Sequence, residues 1–303
     1  MKKVLIIGAS GFVGKYLVNE FISNGYEVIA SDKSNKGNLP NEVSFYPMDI
    51  LNQEQVKNVI EECNPDYVVN LAAISSVGAS WKMPQKTIEV NVIGTLNILE
   101  VLKDKKCKIL LIGSSEEYDI CSEPLKEENI INANNPYGIS KVAQENFAKM
   151  YIEKYGMKIA CTRSFNHTGI GQLDSFVIPS FCKQVAEIEK SGKDGKIYVG
   201  NLSAYRDFSD VEDVVRVYRI LLENENDYLV YNVGSGKAHK IEDLLEYIIS
   251  LSSKNIEIIV DKEKYRTVDN PYICCDNSRI KEYFKGTDIK ETIKKMYEYF
   301  LND

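Results

Sequence analysis

The sequence lacks the features by which several classes of protein are usually identified. Its 303 residues include only two histidines, and its seven cysteines show no C-x-x-C spacing, so we expect neither a metal site nor a disulfide framework. No run of 18 apolar residues occurs, and residues 1–3 lead into a predicted strand rather than a signal peptide. The net charge of −7 argues against nucleic-acid binding. We therefore expect a cytoplasmic protein with reduced thiols that contacts neither membrane nor nucleic acid.

What the sequence has instead is an alternation of predicted strands and helices. Strands are predicted at 4–7, 26–31, 43–46, 66–73, 108–113 and 158–162, and helices at about 12–24, 53–62, 84–104 and 136–155. This order predicts an α/β fold, a Rossmann-type doubly wound parallel sheet with a smaller mixed α/β C-terminal lobe. We predict a cofactor-binding domain over residues 1–165, to which part of the later chain returns, and a substrate-binding lobe formed mainly by residues 166–303.

A glycine-rich motif follows the first apolar strand. It reads Gly8-Ala9-Ser10-Gly11-Phe12-Val13-Gly14, and the three glycines provide a tight turn, room for a pyrophosphate and close packing of helix on strand. Asp32 lies 21 residues after Gly11, near the roughly 20-residue spacing expected of the carboxylate that binds an adenosine ribose. The motif predicts a nicotinamide dinucleotide, and the acid favours NAD(H). Lys33 and Lys36 keep NADP(H) open as the alternative.

A second motif, Tyr137-Gly138-Ile139-Ser140-Lys141, lies at the start of a predicted helix. Its four-residue spacing places Tyr137 and Lys141 on one helix face. A free tyrosine has a pKa near 10, and a neighbouring cation lowers it by stabilising the phenolate. Ser114 ends a predicted strand at the sheet edge where ligands bind. We predict that Ser114 holds a carbonyl oxygen while Tyr137 gives its proton and the nicotinamide supplies hydride.

These motifs occur in the order found in one family. The chain resembles an extended short-chain dehydrogenase/reductase of the nucleotide-sugar type, in the NAD-dependent epimerase/dehydratase family. Within it, three segments resemble GDP-4-dehydro-6-deoxy-D-mannose reductases, whose nearest relatives are GDP-mannose 4,6-dehydratases. The segments are Arg163-Ser164-Phe165-Asn166-His167-Thr168-Gly169, Val199-Gly200-Asn201-Leu202 with Arg206-Asp207-Phe208, and Tyr231-Asn232-Val233-Gly234-Ser235-Gly236.

The resemblance implies further site residues. The resemblance adds five cofactor contacts to the glycine motif, Asp32 and the Tyr137–Lys141 pair. They are Asp49, Ile50, Leu71, Ala72 and Ala73. As substrate contacts it implies Ser75, Ser76, Ser115, Asn166, Val177, Lys183, Arg206, Arg266 and Asp269. The resemblance places Asn166 and Arg206 at the diphosphate, Arg266 at a second phosphate or at a ribose, and Asp269 at a nucleotide hydroxyl. The arginines fit because a guanidinium pairs with phosphate oxygens in a bidentate way. For His167 we expect a packed, hydrogen-bonded side chain rather than a catalytic role.

Glu116 keeps a second reaction open. A 4,6-dehydratase needs a carboxylate near the serine to remove the C5 proton, and Glu116 lies where the dehydratases have theirs. In a reductase the same carboxylate organises the site by hydrogen bonding. A C4 epimerase, which uses the same three residues, and a non-catalytic NAD-binding regulator are further alternatives. The regulator is disfavoured because Ser114, Tyr137 and Lys141 are all present.

The resemblance leads to one functional expectation. We expect NAD(P)H-dependent reduction at C4 of a 4-keto-6-deoxy nucleotide sugar, GDP-linked in the favoured case, by a homodimer or homotetramer joined through helices 84–104 and 136–155. Two departures, Tyr118-Asp119 for Tyr-Gly and Gly169-Ile170-Gly171 for Gly-Pro-Gly, lie near the sugar. They leave the base, the sugar configuration and the choice of hexose or heptose open.

Overall fold

A parallel sheet of seven strands forms the centre of the molecule. The computed structural model describes residues 1–33, 35–225, 229–265 and 270–303. The strands are β1 (Lys3–Ile7), β2 (Glu27–Asp32), β3 (Ser44–Pro47), β4 (Tyr67–Asn70), β5 (Lys108–Ser114), β6 (Lys158–Ser164), β7 (Asn166–Thr168), β8 (Gly195–Val199), β9 (Tyr205–Asp210), β10 (Val230–Val233), β11 (Ala238–Lys240), β12 (Ile256–Val260) and β13 (Tyr272–Ile273). The central sheet has the order β10-β6-β5-β4-β1-β2-β3. The predicted doubly wound sheet is confirmed.

Helices cover both faces of this sheet. They are α1 (Phe12–Ser23), α2 (Gln53–Cys63), α3 (Val77–Lys82), α4 (Pro84–Ile88), α5 (Gly94–Leu102), α6 (Pro136–Tyr155), α7 (Val177–Ser191), α8 (Val211–Glu223), α9 (Ile241–Ser250) and α10 (Ile289–Asn302). Successive strand residues point to opposite faces, so Val4 and Ile6 pack against α1 and α8, whereas Leu5 and Ile7 pack against α2, α5 and α6. Both faces are therefore buried, which explains the continuous apolar runs of the strands.

The C-terminal lobe is mixed, as predicted. Strand β9 pairs with β7, β11 and β13, and β8 pairs with β12. Helices α7, α9 and α10 share a separate apolar core with these strands. Two later elements lie elsewhere: α8 packs on α1, and β10 pairs with β6 in the central sheet. The division of the chain at residue 165 stays a prediction.

The sequence predicted one long α-helix over residues 84–104, and the structure corrects this prediction. The chain there forms α4, then a π-helical segment over Glu89–Ile93, then α5, which ends at Leu102. The strand predicted over residues 66–73 is likewise shorter, because β4 ends at Asn70. The residues that follow form a loop at the edge of the sheet where β5 also ends.

Three sequence expectations concern absences. Each of the seven cysteines is a free thiol, and six of them are buried. Among the described residues no cluster of three or more histidine, cysteine, aspartate or glutamate side chains could hold a metal ion. None of the helices described is long and apolar enough to span a membrane.

Candidate active site

The glycine motif forms the turn between β1 and α1. Gly8 has a φ of +83°, and a Cβ there would lie 2.8 Å from the Ala72 nitrogen, so a side chain is excluded both by conformation and by space. A Cβ on Gly14 would lie 2.5 Å from the Ala9 oxygen. Helix α1 follows Gly11 with no side chain capping its first turn. Its N–H groups can therefore bind an anion.

Asp32 lies at the end of β2 beside this turn. Its carboxylate accepts hydrogen bonds from the backbone N–H of Ser10 at 3.2 Å and of Lys33 at 2.7 Å. The two lysines that could tolerate a phosphate have other partners: Lys33 pairs with Asp49 at 3.0 Å, and Lys36 donates to the Val43 carbonyl at 2.9 Å. Among the described residues, the charge at the end of β2 that is not paired with another side chain is therefore that of Asp32.

The segment after β3 holds two more predicted cofactor residues. The Asp49 carboxylate accepts the Leu51 N–H at 3.0 Å, and this bond is the main reason why its pKa is lowered. Ile50 is buried, and a Cβ on Gly94 of α5 would lie 2.4 Å from its side chain. Asp49 thus remains ionised. The apolar side chain of Ile50 packs against Gly94 of α5 at the same end of the sheet.

The loop after β4 carries the residues 71–73 predicted to contact cofactor. The Leu71 N–H donates to the Ile7 carbonyl at 2.9 Å, and the Ala72 N–H donates to Asn70 Oδ1 at 3.1 Å. Because a Cβ on Gly8 would lie 2.8 Å from the Ala72 nitrogen, the glycine turn and this loop lie against each other. The cofactor residues predicted on β1, β2 and β4 thus meet at one sheet edge.

The second motif opens α6 as predicted. Tyr137 and Lys141 are both buried, and the Lys141 ammonium lies 5.9 Å from the centre of the Tyr137 ring. Burial raises the pKa of Tyr137, whereas the neighbouring Ser114 side chain at the end of β5 lowers it. The structure therefore brings the three predicted catalytic residues together, with the phenol in its neutral, proton-carrying form.

Lys141 is held against the end of β5. Its Nζ donates to the Ile112 carbonyl at 2.6 Å and to Gln144 Oε1 at 3.3 Å, and Gln144 Nε2 donates to the same carbonyl at 3.2 Å. Burial lowers the pKa of Lys141 to about 8, against the opposing effect of Glu117. Gln144 was missed by the sequence reasoning, although its position three residues after Lys141 places it on the same helix face.

A short 3₁₀ turn over Ser115–Glu117 fixes Ser114. The Ser114 Oγ accepts the Glu116 N–H at 3.2 Å, and Glu117 Oε1 accepts the Ser114 N–H at 2.7 Å. Because its oxygen receives the Glu116 N–H, the Ser114 hydroxyl proton can point toward a ligand. Glu117, also missed by the sequence reasoning, is fully buried.

Asn135 links Glu116 to the start of α6. Its Oδ1 accepts the Gly138 N–H at 2.9 Å and so caps the helix, while its Nδ2 donates to Glu116 Oε2 at 2.9 Å. A Cβ on Gly138 would lie 2.3 Å from the Glu116 carbonyl, so α6 and the 3₁₀ turn are in direct contact.

A buried asparagine on the π-helical segment also supports the site. Asn91 Oδ1 accepts the Ile74 N–H at 2.8 Å, and its Nδ2 donates to the Ile74 carbonyl at 3.1 Å and to Ser140 Oγ at 2.9 Å. Ser140 lies on α6 directly before Lys141. Asn91 therefore ties the loop after β4 to the catalytic helix. A polar residue on an apolar helix face is the signal in the sequence that could have predicted this role.

A cleft runs from the 3₁₀ turn to β9. Of the residues predicted to bind substrate or act on it, Ser115, Glu116 and Arg206 line this cleft. Four others complete its wall and were not predicted, namely Tyr118, Asn134, Asn270 and Ile273. Arg206 is largely buried, which reduces the screening of its charge. The cleft thus runs from Ser115, next to Ser114 in the chain, to the buried guanidinium of Arg206.

The remaining predicted substrate residues lie outside this cleft. Ser76 caps α3 through the Ala79 N–H, and Ser75 before it is exposed. Asn166 is exposed on β7, Val177 opens α7, and Lys183 forms an ion pair of 2.6 Å with Asp174. Two more, Arg266 and Asp269, fall outside the described residues. None of the described residues of this set lines the cleft, and their role at the substrate stays a prediction.

His167 is packed rather than free to act as a base. Its ring stacks on Phe12 with 6.4 Å between centroids, and Nδ1 lies 3.0 Å from the Phe165 carbonyl. Burial lowers its pKa. The predicted packed, hydrogen-bonded side chain of His167 is therefore observed, and its contact with Phe12 joins β7 to the first turn of α1.

Comparisons with known proteins agree with this geometry. A family model described as GDP-mannose 4,6 dehydratase matches residues 5–296. The chain is 31% identical to a GDP-6-deoxy-D-mannose reductase of Pseudomonas aeruginosa, over 100% of this chain and 97% of that protein. Among solved structures, RMD from Pseudomonas aeruginosa complexed with NADPH has a TM-score of 0.87 at 29% identity, covering 100% of this chain and 99% of that one. UDP-glucose 4-epimerase from Thermotoga maritima with UDP-glucose has a TM-score of 0.90 at 26% identity, with 99% of both chains covered.

Proposed function

Because the chain belongs to the GDP-mannose 4,6-dehydratase family of extended short-chain dehydrogenases/reductases, we propose that it reduces the C4 keto group of a GDP-4-dehydro-6-deoxy-hexose. The product would be a GDP-deoxyhexose such as GDP-D-rhamnose. Members of this family are NAD(P)-dependent enzymes of nucleotide sugars, and their reactions include reduction, dehydration and epimerisation. The choice of reduction is our proposal.

The residues present fit a nicotinamide dinucleotide. The uncapped N-terminus of α1 suits the pyrophosphate, and Asp32 suits an adenosine ribose. Lys141 is a buried cation beside Tyr137, where it can hold the second ribose. When bound, the cofactor supplies the hydride that reduces C4. Since Lys33 and Lys36 have other partners, we propose that NADH is preferred to NADPH.

The protein's own residues supply the proton. We assign the C4 carbonyl oxygen to a position between the Ser114 hydroxyl and the neighbouring Tyr137 phenol. Both groups donate to the oxygen as negative charge develops on it, and Tyr137 then transfers its proton. Lys141 stabilises the resulting phenolate, because its ammonium lies 5.9 Å from the centre of the Tyr137 ring. Arg206, in the cleft beyond Glu116, is assigned to the diphosphate.

One observation carries the choice of reduction over dehydration. Glu116, the only candidate in the resemblance for the C5 base, accepts through its Oε2 a hydrogen bond from Nδ2 of Asn135, the residue that also caps α6. A carboxylate engaged by the helix cap is held in place as an organising acceptor. The similarity to the Pseudomonas reductase over the full chain supports the same choice.

Dehydration of GDP-mannose is the second candidate. Glu116 lines the same cleft as Arg206, so its carboxylate faces the space assigned to the sugar. The matching family model is itself that of GDP-mannose 4,6-dehydratase. A C4 epimerase uses the same Ser114, Tyr137 and Lys141, and so only an assay separates the three reactions.

The assay follows NADH and NADPH by absorbance while the purified protein is given GDP-4-dehydro-6-deoxy-D-mannose. In parallel, GDP-mannose is analysed for a 4-keto product. We expect stoichiometric oxidation of NADH with the keto sugar and no change in GDP-mannose. Conversion of GDP-mannose without net cofactor consumption would assign the dehydratase, and interconversion of C4 epimers would assign the epimerase.

A further inference from the structure

The helix face that carries Lys141 also carries a buried amide, that of Gln144. Both side chains are only 3% exposed. Lysine and glutamine are seldom buried to this extent, because burying a polar group is costly unless it is hydrogen-bonded. The hydrogen bonds of the Gln144 amide therefore indicate what this residue does.

Gln144, Lys141 and the end of β5 form a closed set of three hydrogen bonds. Lys141 Nζ donates to Gln144 Oε1 at 3.3 Å and to the Ile112 carbonyl at 2.6 Å. Gln144 Nε2 donates to the same carbonyl at 3.2 Å. The reverse orientation of the amide would place N–H groups against the ammonium and an oxygen against the carbonyl, and both contacts would be repulsive. The direction of the amide is therefore fixed.

Other buried polar groups surround the oxygen of the Gln144 amide. Thr95 Oγ1 lies 3.4 Å from Gln144 Oε1 and accepts Asn70 Nδ2 at 3.2 Å. Asn70 Oδ1 in turn accepts the Ala72 N–H at 3.1 Å, in the loop after β4. The hydroxyl proton of Thr95 has a nearer acceptor in the Asn91 carbonyl, at 2.7 Å. Gln144 Oε1 thus remains available to the ammonium of Lys141.

The number of donors on Lys141 shows the consequence. An ammonium has three N–H donors and no acceptor. The Ile112 carbonyl and Gln144 Oε1 take two of the three, and in the part of the chain that the structure describes Nζ has no further hydrogen-bond acceptor. Because the N–H bonds of an ammonium are tetrahedral, fixing two of them also fixes the direction of the third. One N–H is therefore left, in a set direction, for a ligand.

We propose that Gln144 is a positioning residue of the catalytic group, which holds the ammonium of Lys141 at the end of β5 and leaves its third N–H for the bound cofactor. The proposal rests on the proposed function only in naming the cofactor as the acceptor of that N–H. Without the amide, Lys141 would keep the single bond to the Ile112 carbonyl. Its flexible four-carbon stem would then let the ammonium turn about that bond.

The test measures how fast the ammonium protons of Lys141 exchange with water in the protein without ligand. NMR detects them through ¹⁵Nζ, and the signal is assigned as the one that K141R removes. At about pH 6 the amine is protonated, since burial lowers its pKa only to about 8. In Q144M, which keeps the length of the side chain and removes the amide, we expect exchange to be about tenfold faster. An unchanged exchange rate in Q144M would overturn the proposal.

Two further variants separate positioning from general support of the fold. Q184M is the matched control, because Gln184 on α7 also bridges two elements, accepting the Tyr198 N–H at 2.9 Å and donating to the Ser180 carbonyl at 3.3 Å. It should leave the exchange at Lys141 unchanged, and faster exchange there would count against the proposal. Q144E returns an oxygen acceptor to the ammonium, so slow exchange should return. Exchange as fast in Q144E as in Q144M would contradict the proposal.

The wild-type protein decides if the Gln144 variants do not fold. Its Lys141 protons should then exchange more slowly than those of the exposed Lys149, and equal rates would refute a held ammonium. If Q144M folds, its Kd for NADH, measured by fluorescence, should rise about tenfold, whereas Q184M should bind as the wild type does. Failure of the wild-type protein to use any keto sugar would contradict the proposed function alone, because the exchange measurement needs no ligand.

Discussion

At the scale of single residues, the chemistry of the site depends on burial as much as on residue type. The spacing of Tyr137 and Lys141 and the strand end at Ser114 could be predicted, because they are local patterns on one helix and one strand. Glu117 and Asn91 could not, because their partners lie on other elements and only the fold brings them together. Because these residues are buried, each of their hydrogen bonds is strong, and the loss of one costs free energy of folding.

Tyr137 carries the first prediction. Tyr137→Phe should lower kcat by about 10²- to 10⁴-fold, because it removes the hydroxyl that donates the proton and keeps the aromatic ring. Cofactor binding, measured by quenching of protein fluorescence, should remain. The control is Tyr151→Phe, a substitution of the same kind on the same helix, where the phenol bonds Glu100 instead. Equal turnover in Y137F and wild type would contradict the assigned proton donor.

Asp32 carries the second prediction. Asp32→Asn keeps a side chain that can bond the Ser10 N–H but removes the charge that repels a 2′-phosphate. The ratio of kcat/KM for NADPH to that for NADH should rise about tenfold, corresponding to about 1.4 kcal/mol. Asp194→Asn in the C-terminal lobe, where the acid bonds Asn255, should leave the ratio unchanged. An unchanged ratio in D32N would show that Asp32 does not select the cofactor.

At the scale of elements, the residues that begin and end helices determined how well the boundaries of the elements were predicted. Helix α6 was predicted with its observed limits, since Asn135 and Pro136 begin it and Gly156, with a φ of +65°, ends it. The 84–104 segment has no such signals inside it. Its π-helical segment contains Asn91, whose partner Ile74 lies 17 residues earlier, in the loop after β4. A local pattern cannot reveal a bond of that kind.

The cap of α6 carries the third prediction. Asn135→Ala should cost about 1 kcal/mol of stability and should also lower turnover, because Glu116 loses its anchor. Asn52→Ala removes the cap of α2, which is bonded to Gln55 N–H, and should cost about as much stability at full turnover. Thermal unfolding and steady-state kinetics on both variants check this. If N135A and N52A were equally active, Asn135 would be a helix cap only.

At the scale of the whole molecule, the two helical segments predicted to join subunits expose apolar side chains. Ile139 and Met150 on α6 are 49% and 57% exposed, and their spacing of eleven residues places them on one helix face. Ile88 and Ile93, at 37% and 46%, are exposed on the neighbouring segment. Adjacent exposed apolar side chains indicate a contact surface. We propose that a second copy of the chain covers this surface, as the sequence predicted.

This surface carries the fourth prediction. Met150→Glu should convert the dimer into a monomer, because pairing across a two-fold axis would bring two buried negative charges together. Ile130→Glu, at a loop position that is 73% exposed, should leave the dimer intact. Size-exclusion chromatography with light scattering measures both. A wild-type protein that is monomeric throughout the micromolar range would contradict the interface.

The central claim, reduction at C4, is tested most directly by the fate of the hydride. The protein is incubated with NADH deuterated at the transferred position and GDP-4-dehydro-6-deoxy-D-mannose, and the product is examined by NMR. The proposed function predicts one deuterium at C4 of the deoxyhexose for each NADH oxidised. Lack of deuterium at C4 would contradict it.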